Sequence, residues 1–138
     1  MGHMRIFKKT FILATLFLFC GTAQVSAGPM PQEAHGQLAT NYLELLDQHR
    51  LQDAWHSMAP LFKSFNDQQQ WQQRIGAIRQ AYGATISRKI SRSSYRDSFR
   101  NAPDGSYVIV QFDSSFQHKA KGVETVVLRC PAPKECAV

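Results

Sequence analysis

The stretch that decides the fold is QQQWQQRIGAIRQAYGATISRKI, residues 68–90, because the spacing of its apolar residues changes in the middle. In its first part, large apolar residues recur at intervals of three and four, as in an amphipathic helix: Trp71, Ile75, Ile78 and Tyr82. After Gly83 the period falls to two and β-branched residues dominate, which is typical of a strand. The chain is therefore predicted to change from helix to strand at Gly83.

The ends of this helix carry their own signals. We expect Asn66 to cap the N-terminus, with Gln69 as its partner in a capping box. Gly83 is expected to end the helix, because glycine adopts the left-handed conformation without steric cost.

Two further helical stretches are predicted upstream. The first runs to about residue 48, with its apolar stripe at Ala34, Leu38, Tyr42, Leu45, Leu46 and His49. The second carries Leu51, Trp55, Met58, Leu61, Phe62 and Phe65 on one face, and Pro60 should break or bend it.

Downstream of Gly83 the pattern predicts a meander of strands. Ile86 and Ile90 differ in parity from Tyr95 and Phe99, so we expect a β-bulge or strand end near residues 93–94. A turn at residues 102–105 precedes a strand from Tyr107, and a loop through residues 118–122 precedes a last strand over residues 123–130. This order predicts an α+β domain with N-terminal helices packed on a curved antiparallel sheet of three to four strands.

Residues 1–27 are expected to be a cloning remnant followed by a secretory signal peptide. From Met4 a basic start leads into an apolar run over residues 10–19, and Val25 and Ala27 suit the −3 and −1 positions of a cleavage site. An uncleaved anchor, or lipid attachment at Cys20, is the alternative. Cleavage near Ala27 would leave one domain, residues 28–138, without a transmembrane anchor and located in the periplasm or outside the cell.

Removal of this segment lowers the formal net charge from +6 to +3, because three of the 16 basic residues lie within it. So small a charge makes nucleic acid an improbable partner. The remaining cysteines, Cys130 and Cys136, are expected to form a disulfide in an oxidising compartment. Intermolecular pairing, free thiols and a metal site are the alternatives at this stage, and no further metal ligand is found at a suitable spacing.

The region of residues 88–100 is basic and contains two aromatic residues, Tyr95 and Phe99. On a regular strand Arg88 and Arg92 would project to the same side as Ile90, and Lys89 to the other. A charged outer strand that resists edge pairing explains this segment most simply, and an acidic protein, lipid headgroups or nucleic acid are the alternatives as a partner. Five aromatic residues are expected to lie in the core or to line a pocket between helices and sheet: Trp55, Trp71, Tyr82, Tyr107 and Phe112.

Several of these residues together resemble a family of small secreted bacterial proteins, domain-of-unknown-function family 4019. The resemblance covers about residues 34–128, and its most specific parts are Pro103-Asp104-Gly105-x-Tyr107 and Glu124-Thr125-Val126. It implies a fold similar to the cones of nuclear-transport-factor and cystatin-like proteins, and it implies no catalytic residues. It also suggests that Arg79 pairs with a carboxylate such as Glu124.

The function expected from this sequence is that of an exported, non-catalytic binding or envelope-interaction module. The candidate contacts to a small ligand or an envelope protein are Arg79, Arg88, Arg92, Arg96, Tyr107 and His118. No catalytic residue, cofactor or metal is predicted. The alternatives are an isomerase or hydrolase with a pocket inside the cone, and an interaction protein that uses the basic segment 88–100 on an acidic partner.

Overall fold

The fold is an α+β arrangement, as predicted, in which four helices precede one antiparallel sheet. The computed structural model describes residues 32–132 and 135–138, so the expected signal peptide lies outside the described residues. The helices are α1 (Gln32–Asp47), α2 (Leu51–Ser57), α3 (Pro60–Ser64) and α4 (Gln68–Tyr82). The strands β1 (Thr85–Arg96), β2 (Tyr107–Phe116), β3 (Lys119–Ala132) and β4 (Glu135–Ala137) form a sheet in the order β1-β2-β3-β4.

The predicted second helix is two helices, because the chain is extended at Met58 and Ala59. Pro60 then occupies the first turn of α3, where its missing amide hydrogen is not needed. Between α1 and α2 the chain turns at His49, which adopts the left-handed φ of 57°.

The start of α4 differs from the prediction by one residue. Asp67, not Asn66, is the N-cap, and its side chain accepts a hydrogen bond from the Gln70 amide at 2.9 Å. Asn66 instead donates from its side chain to the Phe62 carbonyl at the end of α3. The other end is as predicted, since α4 ends at Gly83 with a φ of 73°.

Strand β1 contains the expected irregularity, but at a different place. Its register against β2 shifts between Ile90 and Arg92, and again between Thr85 and Ser87. The shift between Ile90 and Arg92 places Ile90 and Tyr95 on the same face of the sheet, opposite Phe112 and Val108 of β2.

The same shift overturns the predicted direction of Arg92. Arg88 lies opposite Ser114, on the face towards the helices, whereas Arg92 lies opposite Gln111, on the other face. We call these the inner face and the outer face of the sheet. The prediction that Arg88 and Arg92 project to the same side is wrong, because the bulge reverses the alternation between them.

The β2–β3 connection is shorter than predicted. Gln117 and His118 form the turn and β3 begins at Lys119, so residues 119–122 are strand and not loop. At its other end β3 pairs with β4, and Cys130 and Cys136 form the expected disulfide across this pair.

Side chains pack between the helices and the middle of the inner face, and two depressions remain at its margins, one of about 560 Å³ between α1 and β1 and one of about 390 Å³ beside β3. The buried core consists of Ala39, Leu43, Leu46, Ala54, Trp55, Met58, Trp71, Val108, Val110, Phe112, Val126 and Leu128. The rings of Trp55 and Trp71 lie 5.5 Å apart within it. Tyr107 is also buried but lies on the outer face, where its hydroxyl donates to the Pro103 carbonyl at 2.6 Å and its ring lies 5.8 Å from that of Phe99.

The disulfide should contribute to stability by restricting the unfolded chain. Replacement of Cys130 and Cys136 by serine is expected to lower the free energy of unfolding by about 2 kcal/mol, the loop-entropy value for so short a ring. Denaturant unfolding of the two proteins measures the difference. A thiol titration that found two free thiols in the native protein would contradict the prediction.

Candidate functional site

A network of four charged side chains joins the helices to the sheet. Asp47 comes from the end of α1, Arg79 from the last turn of α4, Arg88 from β1 and Glu124 from β3. Both arginine side chains and Glu124 are nearly buried, and the side chain of Asp47 is 24% exposed. The two positive and two negative charges balance.

Arg88 holds the centre of this network with a forked set of hydrogen bonds. Its Nε and Nη2 donate to Glu124 at 2.7 and 3.1 Å, and its Nη1 and Nη2 donate to Asp47 at 2.7 and 3.1 Å. Arg79 bridges the same two carboxylates, at 3.1 Å to Asp47 and 2.8 Å to Glu124. The pairing of Arg79 with Glu124 that the resemblance suggested is therefore present.

Two hydroxyl groups complete the hydrogen bonding of the carboxylates. Ser114 donates to Glu124 Oε2 at 2.6 Å and Thr85 donates to Asp47 Oδ1 at 3.0 Å. Buried charges are tolerated when they are paired and hydrogen-bonded in this way. Each carboxylate oxygen accepts at least one hydrogen bond or ion pair from within the protein.

The same contacts determine the protonation of the network. Burial alone would raise the pKa values of Asp47 and Glu124, but the hydrogen bonds and charges of Arg88, together with the charge of Arg79, hold both pKa values below their usual range. Although burial opposes it, pairing with the two carboxylates also raises the pKa of Arg88 above its usual value. Asp47, Arg88 and Glu124 are therefore ionised at neutral pH, and neither carboxylate is suited to accept a proton there.

The six candidate residues fall into three places. Arg79 and Arg88 lie in the network, whereas Arg92, Arg96 and Tyr107 lie on the outer face. His118 lies at the β2–β3 turn, where it lines a depression of about 400 Å³ that also reaches Arg79 and Asp47. The structure thus brings Arg79 close to His118 and separates Arg88 from Arg92.

Sequence reasoning named Glu124 as a partner of Arg79 but did not place Asp47, Thr85 or Ser114 in the network. Asp47 is 41 residues from Arg88 along the chain, and an ion pair at that separation leaves no periodic signal. The one available clue is a carboxylate at the end of an apolar helical stripe, directly after the buried Leu46.

His35 was also missed, and it forms a second polar cluster with the disulfide. Its side chain is buried in α1, where its Nδ1 lies 3.2 Å from the hydroxyl of Tyr95. A nitrogen of His35 and the sulfurs of Cys130 and Cys136 lie within 4.8 Å of one another. Because the two sulfurs are bonded to each other, they do not offer the thiolates that a metal ion requires. Burial lowers the pKa of His35, which favours the neutral ring.

Arg88 should be far more important for stability than Arg92, although both lie on β1. The variant Arg88→Met leaves two nearly buried carboxylates without their main partner and is expected to cost about 3 kcal/mol of unfolding free energy. The matched variant Arg92→Met, on the exposed outer face, should change stability by less than about 0.5 kcal/mol. Urea unfolding at pH 7 measures both values, and equal effects of the two substitutions would contradict the assignment.

The network should make the fold sensitive to acid. Because the folded pKa values of Asp47 and Glu124 lie below the unfolded values of about 4, their contribution is complete above that pH and is lost as the pH falls through the folded values. The slope of stability against pH between about 5 and 2 should therefore be smaller in Glu124→Gln. Denaturant unfolding across this range measures the slope. The control is Asp104→Asn, an exposed carboxyl outside the network, and a slope reduced equally in both variants would contradict the prediction.

Comparison with known proteins identifies a family but not an activity. The family model for DUF4019, described as a protein of unknown function, matches residues 38–135. No curated protein and no solved structure matches this chain. None of the described helices is long and apolar enough to cross a membrane. The matched region contains every member of the ion-pair network and covers most of the chain, which therefore belongs to the DUF4019 family.

Proposed function

We propose that this protein is a non-catalytic binding module, exported to the periplasm or beyond, that recognises an acidic component of the cell envelope through the outer face of its sheet. The single observation that carries the proposal is the division of charge between the two faces. The inner arginines are neutralised by buried carboxylates, whereas the outer cations make no ion pair among the described residues.

The outer face combines cations with accessible apolar groups. Lys89, Arg92 and Arg96 are exposed on β1, and Arg129 of β3 is half-buried opposite Tyr107. The apolar part of this face consists of the partly exposed Ile109 of β2 and, on β3, the partly exposed Val127 and the exposed Val123. A surface of this kind suits an acidic partner, because opposite charges steer the encounter and apolar contact adds affinity.

The inner face of the sheet lacks the features that an active site would need. A cone enzyme needs a pocket with an ionisable residue whose protonation suits the reaction. Here the two tryptophans, Phe112 and the aliphatic core side chains occupy the space between helices and sheet, and the carboxylates beside them are paired with arginine. This packing supports a binding role over an isomerase or hydrolase.

Reversal of charge on the outer face should abolish binding. Wild-type protein, Arg92→Glu/Arg96→Glu and the control Arg50→Glu/Lys63→Glu are immobilised and exposed to fractionated envelope components at two salt concentrations. Arg50 and Lys63 are matched in number and charge but lie outside the sheet, Arg50 directly before α2 and Lys63 on α3. We expect a component that wild type and control retain at low salt, and that the outer-face variant loses.

Two results would overturn the proposal. One is retention of the same components by all three proteins. The other is robust turnover in a screen of periplasmic substrates that disappears on a single polar substitution.

A further inference from the structure

We infer that β3 binds an extended acidic segment of a partner protein, which adds to the sheet as a further strand beside residues 123–128. This inference rests on the proposed binding function and specifies how the partner is held. Its support comes from the backbone of β3, from the groove next to it and from the charges around both.

The backbone of β3 has unused hydrogen-bonding groups on one side. The Cys130 amide donates to the Ser106 carbonyl, on the β2 side. Because successive residues of a strand point alternately to either side, Val126 and Leu128 also face β2, whereas Thr125 and Val127 face away from it. In the described part of the chain β4 pairs with β3 only over residues 129–132, so the edge before it has no neighbouring strand.

The two edges of the sheet differ in how they resist pairing. Strand β1 carries Lys89, Arg92 and Arg96 and is interrupted by two register shifts, both of which hinder the addition of a strand. Strand β3 pairs with β2 without a shift from Val123 to Arg129, and the only charged side chain between these two residues, Glu124, points into the network. Over residues 123–128 the β3 edge is thus regular and carries no outward charge, whereas one register shift and the two cations Lys119 and Lys121 lie before it, at the start of the strand.

A groove follows the same edge on the helical side. It has a volume of about 390 Å³ and continues the line of β4 beyond Val138. Its lining is largely apolar and includes Met58, Phe62, Trp71, Ile75 and Val126. An added strand would direct every second side chain into this groove, as in other cases of strand addition, so those positions should be aliphatic.

The charges around the edge indicate an acidic occupant. Lys119 and Lys121 lie on β3 itself, and Arg74 of α4 lines the groove. A second copy of β3 in antiparallel pairing would place Lys119 and Lys121 opposite residues 130–132 of its neighbour, where β3 carries no carboxylate to pair with them. A partner strand with glutamate or aspartate on its outward positions would pair with these cations instead.

Amide exchange measured by NMR tests the inference directly. The probe is an eight-residue synthetic peptide in which valine alternates with glutamate, and the control peptide alternates valine with lysine. In the free protein the amides of Thr125 and Val127 should exchange faster than those of Val126 and Leu128. Saturation with the acidic peptide should slow exchange at Thr125 and Val127 at least tenfold and leave Val126 and Leu128 unchanged.

Variants on one helix test the groove. Ile75→Glu places a carboxylate in the groove and should weaken binding of the acidic peptide at least tenfold. Gln73→Glu introduces the same residue at an exposed position of α4 and should bind within twofold of wild type. Circular dichroism establishes that both variants are folded.

Three outcomes would overturn the inference. They are slow exchange at Thr125 and Val127 in the free protein at all concentrations, equal protection by the acidic and basic peptides, and protection of these amides that grows with protein concentration alone. The last would identify a second copy as the occupant. Arg92→Glu/Arg96→Glu should still bind the acidic peptide, so loss of envelope binding and loss of strand addition are measured separately.

Discussion

The fork that Arg88 forms with Asp47 and Glu124 is the contact on which the arrangement of this protein depends. It connects β1 to α1 and to β3, and Arg79 adds α4 to the same pair of carboxylates. Because nearly buried charges are costly unless all are satisfied, the helices and the sheet have one relative position in which the network is complete.

The bulge at residue 91 is what makes this network compatible with a basic outer surface. It allows β1 to direct Arg88 and Ile90 towards the helices and Arg92 and Arg96 away from them. Without it, the alternation of a regular strand would turn Arg92 to the same face as Arg88 and turn Tyr95 to the outer face, away from the buried His35 that its hydroxyl contacts. The division of charge that underlies the proposed function is therefore a consequence of one inserted residue.

Local signals predicted the elements well and the contacts between them less well. The periodicity of α4 and the role of Gly83 were clear because both depend on neighbouring residues. The cap was misplaced by one residue because Asn66 and Asp67 have equivalent capping chemistry, and the side chain of Asn66 is used at the end of α3 instead. The bulge was expected from a conflict of parity, but parity alone does not state which residue between Ile90 and Tyr95 is the extra one.

The sequence by itself determined the order of helices and strands, because the two have different apolar periods, and it indicated the family through its motifs. The pairing of Cys130 with Cys136 was an expectation with alternatives, and the structure decided it. The tertiary structure decided which of the basic residues are neutralised. Arg79 and Arg88 meet Asp47 at separations of 32 and 41 residues, and no periodic pattern records such a meeting. It also decided that β1 is irregular and charged along its edge while β3 is regular from Val123 to Leu128, since an edge exists only after the strands have been ordered in a sheet.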